Sequence, residues 1–153
     1  MGFYSLFGIV LNETFKAAFM KNTPIASIMT KDVVCVSPDQ KIIDIKHIYE
    51  KKDFHHHIPV IEAGNLVGII SLVDFMYQIQ GASLDDSEAV YTKLSAGDIM
   101  TSNPVTLGPE STIEEAAKIL ASGRYRALPI VENKAVAGIV TTADIIRYLM
   151  RQE

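Results

Sequence analysis

The stretch Gly68–Asp74, GIISLVD, returns 70 positions later as Gly138–Asp144, GIVTTAD. The repetition extends outward from there, since Ile28–Thr30 (IMT) returns as Ile99–Thr101 with an offset of 71 residues. A single deletion near Gly123 relates the two offsets. Copies of about 55 residues must bury their apolar faces against each other. The repeat predicts a pseudo-twofold architecture in which a site at the seam between the copies occurs twice.

The composition is that of one globular domain with a sizeable core. The chain has 153 residues, of which 48% are hydrophobic and 21% are charged. A net charge of -4 without a Lys/Arg-dense run argues against binding of nucleic acid or of an anionic membrane surface. The lone Cys35 excludes an intramolecular disulfide. The sequence therefore predicts a protein of the reducing cytoplasm.

Each copy is predicted to fold as β-α-β-β-α, which gives an α+β fold overall. In the first copy, the β-branched run Val33–Ser37 predicts a strand that ends at Pro38. Residues 41–52 show helical spacing of apolar side chains, and residues 58–70 resemble a β-hairpin with a turn at 62–65. The core-facing residues expected of the two longer helices are Ile42, Ile45, Ile48 and Tyr49, and Ile113, Ala116, Ala117 and Leu120. Helical spacing resumes at Asp74 and at Asp144.

The domain boundaries follow from the repeat. Residues 25–80 and 98–153 are the two predicted domains, and residues 81–97 are the predicted linker, either a mobile solvated loop or a regulatory acidic flap. Residues 1–24 are predicted to form an extra amphipathic helix that packs on the domain or on a second subunit, with docking to a partner or a membrane surface as the alternative. Glu13 and Lys16 interrupt its apolar run, so no membrane span is expected.

A hydroxyl three residues before a carboxylate occurs in both copies, as Ser71 with Asp74 and as Thr141 with Asp144. One interpretation is structural: the hydroxyl is a helix N-cap and the aspartate is the N3 residue of a capping box. The other is chemical, because a fixed carboxylate beside a hydroxyl can hold a vicinal diol. Both interpretations can hold at once.

These repeated motifs resemble a tandem pair of CBS (cystathionine-β-synthase) domains, a Bateman module, over Ile25–Leu149. The resemblance implies that Asp74 and Asp144 bind the ribose hydroxyls of an adenosine ligand, with AMP, ADP or ATP expected and no cofactor required. It implies an energy-sensing regulatory module that signals to an unidentified protein target. It also implies a flat homodimer, whose expected interface comprises the N-terminal helix with Leu72, Val73, Phe75, Met76, Ile145 and Ile146.

The resemblance also implies two shared sites. The first combines Thr30, Val34, Cys35 and His56 with Ile139, Thr141 and Asp144. The second combines Thr101, Val105, Thr106 and Arg126 with Ile69, Ser71 and Asp74. Arginine is charged at every physiological pH, whereas histidine is charged only when protonated. We therefore expect a strong site at Asp74 and Arg126 and a weaker or pH-sensitive site at Asp144 and His56.

Other functions receive less support from the sequence. Three histidines stand at positions 55–57, but in an extended strand at most two of them converge, so no metal site is predicted. No Walker loop, dinucleotide-binding glycine motif or nucleophile elbow is present, and no catalytic activity is predicted. The alternatives to a nucleotide sensor are a structural dimerisation module with degenerate pockets and a redox- or metal-responsive regulator.

Overall fold

The computed structural model describes residues 17–53 and 55–151. The expected helix over residues 1–24 therefore lies largely outside the described residues, of which 17–22 are helical. The remaining helices are α1 (Ile42–Tyr49), α2 (Leu72–Gln78), α3 (Ala89–Lys93), α4 (Ala96–Ile99), α5 (Ile113–Ala121) and α6 (Thr142–Arg151), with a 3-10 turn at Ile25–Ser27. The strands are β1 (His57–Glu62), β2 (Asn65–Ser71), β3 (Thr101–Ser102), β4 (Ala127–Glu132) and β5 (Ala135–Thr141). The predicted α+β class is confirmed.

The two predicted hairpins are present, and each closes with a two-residue turn whose backbone is left-handed at both positions. Ala63 and Gly64 have φ of 48° and 83°, and Asn133 and Lys134 have φ of 49° and 68°. Two successive positive φ values give the turn a twist that matches the right-handed twist of paired strands. In the first hairpin β1 and β2 are antiparallel, from His57 opposite Ser71 to Glu62 opposite Asn65, with one irregularity after Val60.

The strand predicted at Val33–Ser37 is wrong, because only Val36 pairs, in a parallel bridge to Val60. The Val36 N–H donates to the Pro59 carbonyl at 3.1 Å, and the Ile61 N–H donates to the Val36 carbonyl at 2.9 Å. Extending this ladder one step either way would need an N–H from Pro59 or from Pro38, and proline has none. Leu107 makes the corresponding single bridge to Ile130 in the second copy.

The chain divides into two compact units that do not coincide with the two repeats. One, called unit A, holds described residues 17–31, 106–130 and 137–151. The other, called unit B, holds residues 32–53, 55–105 and 131–136. Unit A therefore contains the opening segment of the first repeat and most of the second repeat. Unit B contains most of the first repeat and the opening segment of the second.

Each unit has its own apolar core, to which both repeats contribute. In unit A, Ile25 of the first repeat is fully buried with Ile113, Leu128 and Val140 of the second. In unit B, Ile99 of the second repeat packs into the core of the first. That core includes Ile42, Ile45, Ile58, Ile70, Phe75 and Tyr91. The repeats have thus exchanged their opening segments, which explains why neither copy completes a core alone.

The predicted core faces of α1 and α5 are confirmed, since Ile42, Ile45, Ile113, Ala116 and Leu120 are all buried. Two residues expected at an external interface are not available there. Phe75 and Ile145 are only 3% and 6% exposed, because they lie on the faces of α2 and α6 that pack into the cores of their own units.

The exchange depends on a close approach of the Ile-Met-Thr segment to a strand glycine. A Cβ added to Gly138 would lie 2.7 Å from both Met29 Sδ and the Thr30 carbonyl oxygen. A Cβ added to Gly68 would overlap the side chain of Met100. Non-bonded atoms do not approach so closely, so a side chain at Gly138 would require the backbone of Thr30 to move, and one at Gly68 would require the Met100 side chain to move.

The predicted linker is partly built into unit B and is not a bare solvated loop. Residues Ala89–Lys93 form α3, and the Tyr91 side chain is fully buried, with its hydroxyl donating to the Ser83 carbonyl at 2.8 Å. Asp86 and Tyr91 both contact Lys46 on α1. One aromatic residue and one acid therefore fasten this segment to the first repeat.

We predict that Gly138→Ala destabilises the protein more than Gly68→Ala. The Gly138 methyl meets a backbone carbonyl, which cannot move aside, whereas the Gly68 methyl meets only a flexible methionine side chain. The expected losses in the free energy of unfolding are about 3 and about 1 kcal/mol. Chemical denaturation of the two variants measures them.

The second arm of this test is a pair of double variants. Met100→Ala should relieve most of the cost of Gly68→Ala, but Met29→Ala should relieve only part of the cost of Gly138→Ala, because the Thr30 carbonyl remains. Equal losses in the two single variants, or equal rescue in the two double variants, would contradict the proposed role of the backbone contact.

Candidate functional site

Ser71 and Asp74 form a capping box at the start of α2. The Ser71 N–H and Oγ–H donate to Asp74 Oδ2 at 3.0 and 2.7 Å, and the Asp74 N–H donates back to Ser71 Oγ at 3.1 Å. The structural interpretation of this motif is therefore confirmed. Both bonds to the carboxylate use Oδ2, and Asp74 Oδ1 has no hydrogen-bond partner among residues 17–53 and 55–151.

Thr141 and Asp144 repeat this arrangement at the start of α6. The Thr141 N–H and Oγ1–H each donate to Asp144 Oδ2 at 2.8 Å, and the Asp144 N–H donates to Thr141 Oγ1 at 3.3 Å. The second oxygen differs from that of Asp74, because Arg147 Nη1 donates to Asp144 Oδ1 at 2.7 Å. Asp144 is 8% exposed, so this carboxylate is buried, and its own unit fills three of its roughly four acceptor positions.

A capping box alone does not define a ligand site in this chain. Ser95 with Asp98 and Thr112 with Glu115 make the same reciprocal contacts at the starts of α4 and α5. The boxes at Ser71 and Thr141 differ in what lies next to them. Ile69, two residues before Ser71, pairs with Thr101 in the β2–β3 ladder, and Ile139, two residues before Thr141, pairs with Thr30.

More than half of the residues of each expected site lie within one unit. Unit B holds Ile69, Ser71, Asp74, Thr101 and Val105 of the Asp74 site, and unit A holds Thr30, Ile139, Thr141 and Asp144 of the Asp144 site. The Thr30 N–H donates to the Ile139 carbonyl, and the Ile139 N–H donates to the Thr30 carbonyl, both at 2.9 Å. In both units, threonine of one repeat therefore lies near the hydroxyl and carboxylate of the other.

The remaining expected residues belong to the opposite unit in each case. Thr106 and Arg126 lie in unit A, and Val34, Cys35 and His56 lie in unit B. Arg126 and His56 are both exposed. Val34 and Val105 are exposed apolar residues, at 42% and 38%. Of the side chains expected to provide positive charge and apolar surface, these four are accessible to solvent, whereas Ile139 is only 5% exposed.

Cys35 is half-buried, and its thiol lies 3.5 Å from the Val33 carbonyl oxygen. Burial raises the pKa of this thiol above its usual value, because the thiolate would lose hydration. A reactive redox cysteine needs a lowered pKa. The environment of Cys35 therefore does not favour a redox function.

The histidines do not assemble into a metal site with other ligands. Within residues 17–53 and 55–151, no three His, Cys, Asp or Glu side chains come close enough together to bind a metal ion. The His56 carbonyl accepts the N–H of Leu72 at 2.8 Å, which fixes the backbone of this segment at the entry to α2.

Two charged groups were missed by the sequence analysis. Arg147 lies outside the repeated motif, since its counterpart in the first repeat is Tyr77. The i, i+3 spacing from Asp144 was the signal that could have revealed it. Lys46 was also missed: it lies in the middle of α1 and has a side chain only 5% exposed.

Lys46 is the buried centre of an ionic cluster whose other members, Glu50, Asp86 and His47, are about half exposed. Its ammonium contacts Asp86 Oδ1 at 2.7 Å and also Glu50 Oε1, and it lies 5.5 Å from the centroid of the Tyr91 ring. His47 Nε2 lies 2.9 Å from the other oxygen of Asp86. The hydrogen bonds to Asp86 and Glu50 raise the pKa of Lys46 above its ordinary value. The pKa of Asp86 is lowered, first by its hydrogen bond with Lys46 and second by its hydrogen bond with His47.

Comparison with known proteins defines the class. The family model of the CBS domain matches residues 25–81 and again residues 96–151. Because these matches cover most of the chain, the chain belongs to the CBS domain family and carries a tandem pair of these domains. None of the described helices is long and apolar enough to cross a membrane.

Among curated relatives, the chain is 32% identical over 120 residues to an inosine-5'-monophosphate dehydrogenase of Korarchaeum cryptofilum, a match covering 78% of this chain and 23% of the dehydrogenase. It is 28% identical over 125 residues to the CBS domain-containing protein YhcV of Bacillus subtilis, covering 82% and 84%. The chain spans less than half the length of several relatives that it matches, from 23% to 48%.

Solved structures of CBS pairs share the fold. The CBS-pair protein CBSX2 of Arabidopsis thaliana matches with a TM-score of 0.71 at 23% identity, covering 85% of this chain and 96% of that one. CBSX2 is also known in complex with AMP. The CBS domain pair of protein MJ0100, in complex with 5'-methylthioadenosine and S-adenosyl-L-methionine, matches with a TM-score of 0.71 at 24% identity, covering 86% and 98%.

We predict that Asp86→Asn lowers the melting temperature at pH 7, because it removes the charge that stabilises buried Lys46. The folded-state pKa of Asp86 is lowered, so its contribution is present above the unfolded pKa of about 4 and is lost as the pH falls through the folded value. The difference from the wild type should therefore disappear on acidification. Asp32→Asn, an exposed aspartate of the same unit that makes no hydrogen bond or ion pair with residues 17–53 and 55–151, is the control for thermal melts from pH 7 to pH 2.5.

We predict that Cys35 reacts slowly with iodoacetamide at pH 7.5, with a rate well below that of free cysteine. Burial both restricts access and keeps the thiol protonated. The rate should rise with pH through a midpoint above that of free cysteine, as followed by mass spectrometry of the alkylated protein. A midpoint below that of free cysteine would revive the redox alternative.

Proposed function

We propose that this protein is a non-catalytic regulatory module that binds an adenosine-containing nucleotide of the AMP, ADP or ATP type and signals its presence to a partner protein. One observation carries the proposal. In each unit, a capped aspartate follows a strand residue, Ile69 or Ile139, that pairs with a threonine of the other repeat. Adenosine ligands in CBS pairs of the same fold support the ligand class.

The capped carboxylate is well suited to a ribose. Three hydrogen bonds within the capping box orient Asp74 before any ligand arrives, and all of them leave Oδ1 available. A vicinal diol can donate to a carboxylate fixed in this way without a cost for ordering the side chain. In this proposal Ser71 and Thr141 lie near the ribose, and Ile69, Ile139, Val34 and Val105 line the base.

The phosphate groups are assigned to the exposed cations. Arg126 supplies a permanent charge to the Asp74 site, and His56 supplies a pH-dependent one to the Asp144 site. The remaining residues proposed to line the two nucleotide sites are Thr30, Thr101, Thr106 and Cys35. Signalling through a homodimer is part of the proposal, supported by the exposed apolar residues Val73, Met76 and Ile146, whose exposed fractions are 60%, 53% and 53%.

A structural module without ligands is the second candidate. It is favoured by one observation, namely that the capping boxes alone account for the presence of Asp74 and Asp144. Such a module would need these carboxylates for helix stability and for nothing else. The two functions therefore differ in whether replacing the charge affects ligand binding or only stability.

We predict that AMP binds to the purified protein and that Asp74→Asn weakens binding at least about tenfold, because an amide is a poorer acceptor for the ribose hydroxyls. Isothermal titration calorimetry measures the affinity. Asp98→Asn is a matched control, since Asp98 occupies the same capping-box position with no proposed ligand role. No heat of binding with AMP, ADP, ATP or S-adenosyl-L-methionine, or an equal loss in both variants, would favour the structural module.

A further inference from the structure

The two aspartates of the proposed sites differ in the state of one oxygen atom. Asp144 Oδ1 accepts a hydrogen bond of 2.7 Å from the Arg147 guanidinium, whereas Asp74 Oδ1 has no such partner within residues 17–53 and 55–151. The cause is a single substitution between the repeats. Tyr77 takes the place of Arg147, three residues after Asp74, and its side chain extends into solvent.

Arg147 and Asp144 also line a cavity of about 380 Å³ in unit A, together with Ser27, Met29 and Arg151. Asp144, Arg147 and Arg151 stand at spacings of three and four residues along α6, so they share one face of this helix. Arg151 makes no hydrogen bond or ion pair with any residue of the described chain. The cavity therefore combines one carboxylate with two guanidinium groups, of which only one is paired.

A ribose and Arg147 would compete for the same oxygen. With Arg147 bound, Asp144 has about one acceptor position left, whereas a vicinal diol uses two. A neutral nucleoside that donates both hydroxyls would therefore have to displace the guanidinium and would offer it no new partner. A phosphorylated ligand would also displace it, but would supply oxygens that accept bidentate hydrogen bonds from arginine. The Arg147 side chain is 61% exposed, so it is free to change its conformation toward such a group.

We propose that Arg147 makes the Asp144 site selective for phosphorylated ligands, with Arg151 as a second phosphate-binding residue. The ion pair with Asp144 disfavours nucleosides, and transfer of the guanidinium to a phosphate group favours nucleotides. The Asp74 site has tyrosine, Tyr77, at the position that corresponds to Arg147. This inference rests on the proposed function, because it concerns the selectivity of one of the two proposed sites.

The test measures the AMP-to-adenosine affinity ratio at each site separately. The Ile69 and Ile139 methyl groups lie in different units, each next to one capping box, and their ¹³C methyl NMR signals distinguish the two sites without removing either aspartate. Titrations are made with AMP and with adenosine. The variants are Arg147→Tyr and Tyr77→Arg, which exchange the residues between the repeats. Lys118→Gln, which removes an exposed ion pair with Glu114 elsewhere in unit A, is the control.

In Arg147→Tyr the ratio measured at Ile139 should fall at least about fivefold, with tighter adenosine and weaker AMP binding, while the ratio at Ile69 stays constant. In Tyr77→Arg the ratio at Ile69 should rise. An unchanged ratio at Ile139 in Arg147→Tyr, with AMP still bound by the wild type, overturns this inference and leaves the proposed function intact. Failure of both ligands to shift either signal in the wild type overturns both.

Discussion

The contact on which the rest of the structure depends is the approach of each Ile-Met-Thr segment to a glycine of the other repeat. Met29 and the Thr30 carbonyl occupy the space where Gly138 would otherwise carry a side chain, and Met100 does the same at Gly68. This contact lets Ile25 and Ile99 enter the core of the opposite repeat. It also aligns threonine beside the capping boxes, so the constraint that completes each core also builds each candidate site.

Structure and ligand binding need not compete for the two aspartates, because a carboxylate has two oxygens. The capping box satisfies Oδ2 with a backbone N–H and a hydroxyl, and this fixes the plane in which Oδ1 lies. A group held in this way by the fold is oriented before a ligand arrives. The cap is therefore better regarded as the support of the proposed site than as an alternative to it, and Ser95 with Asp98 shows that the cap alone is not sufficient.

Local patterns in the sequence predicted α1, α2, α5 and α6, the buried faces of α1 and α5, and both hairpins, because these depend on spacing and on turn chemistry. The short helices α3 and α4 were not predicted. The strand at Val33–Ser37 failed because the pattern of β-branched residues does not reveal that its partner carries Pro59 at the position of a needed donor. Phe75 and Ile145 were assigned to an interface because a helix with apolar residues on two faces does not reveal which face is buried. The sequence led to the expectation that both repeats contribute residues to each site, but not that the opening segment of each repeat packs into the core of the other.

The differences between the repeats carry information that the shared motif cannot. At the position of Lys46 in the first repeat, the second repeat has Ala117, and only the first has Asp86 and Tyr91 packed across the helix. At the position of Arg147, the first has Tyr77. Each of these differences places a cation in one unit alone. Lys46 binds the connecting segment to α1 in unit B, and Arg147 holds the Asp144 carboxylate in unit A. The two repeats thus supply similar frameworks, and the charge difference at Arg147, outside the shared motif, makes the two candidate sites chemically unequal.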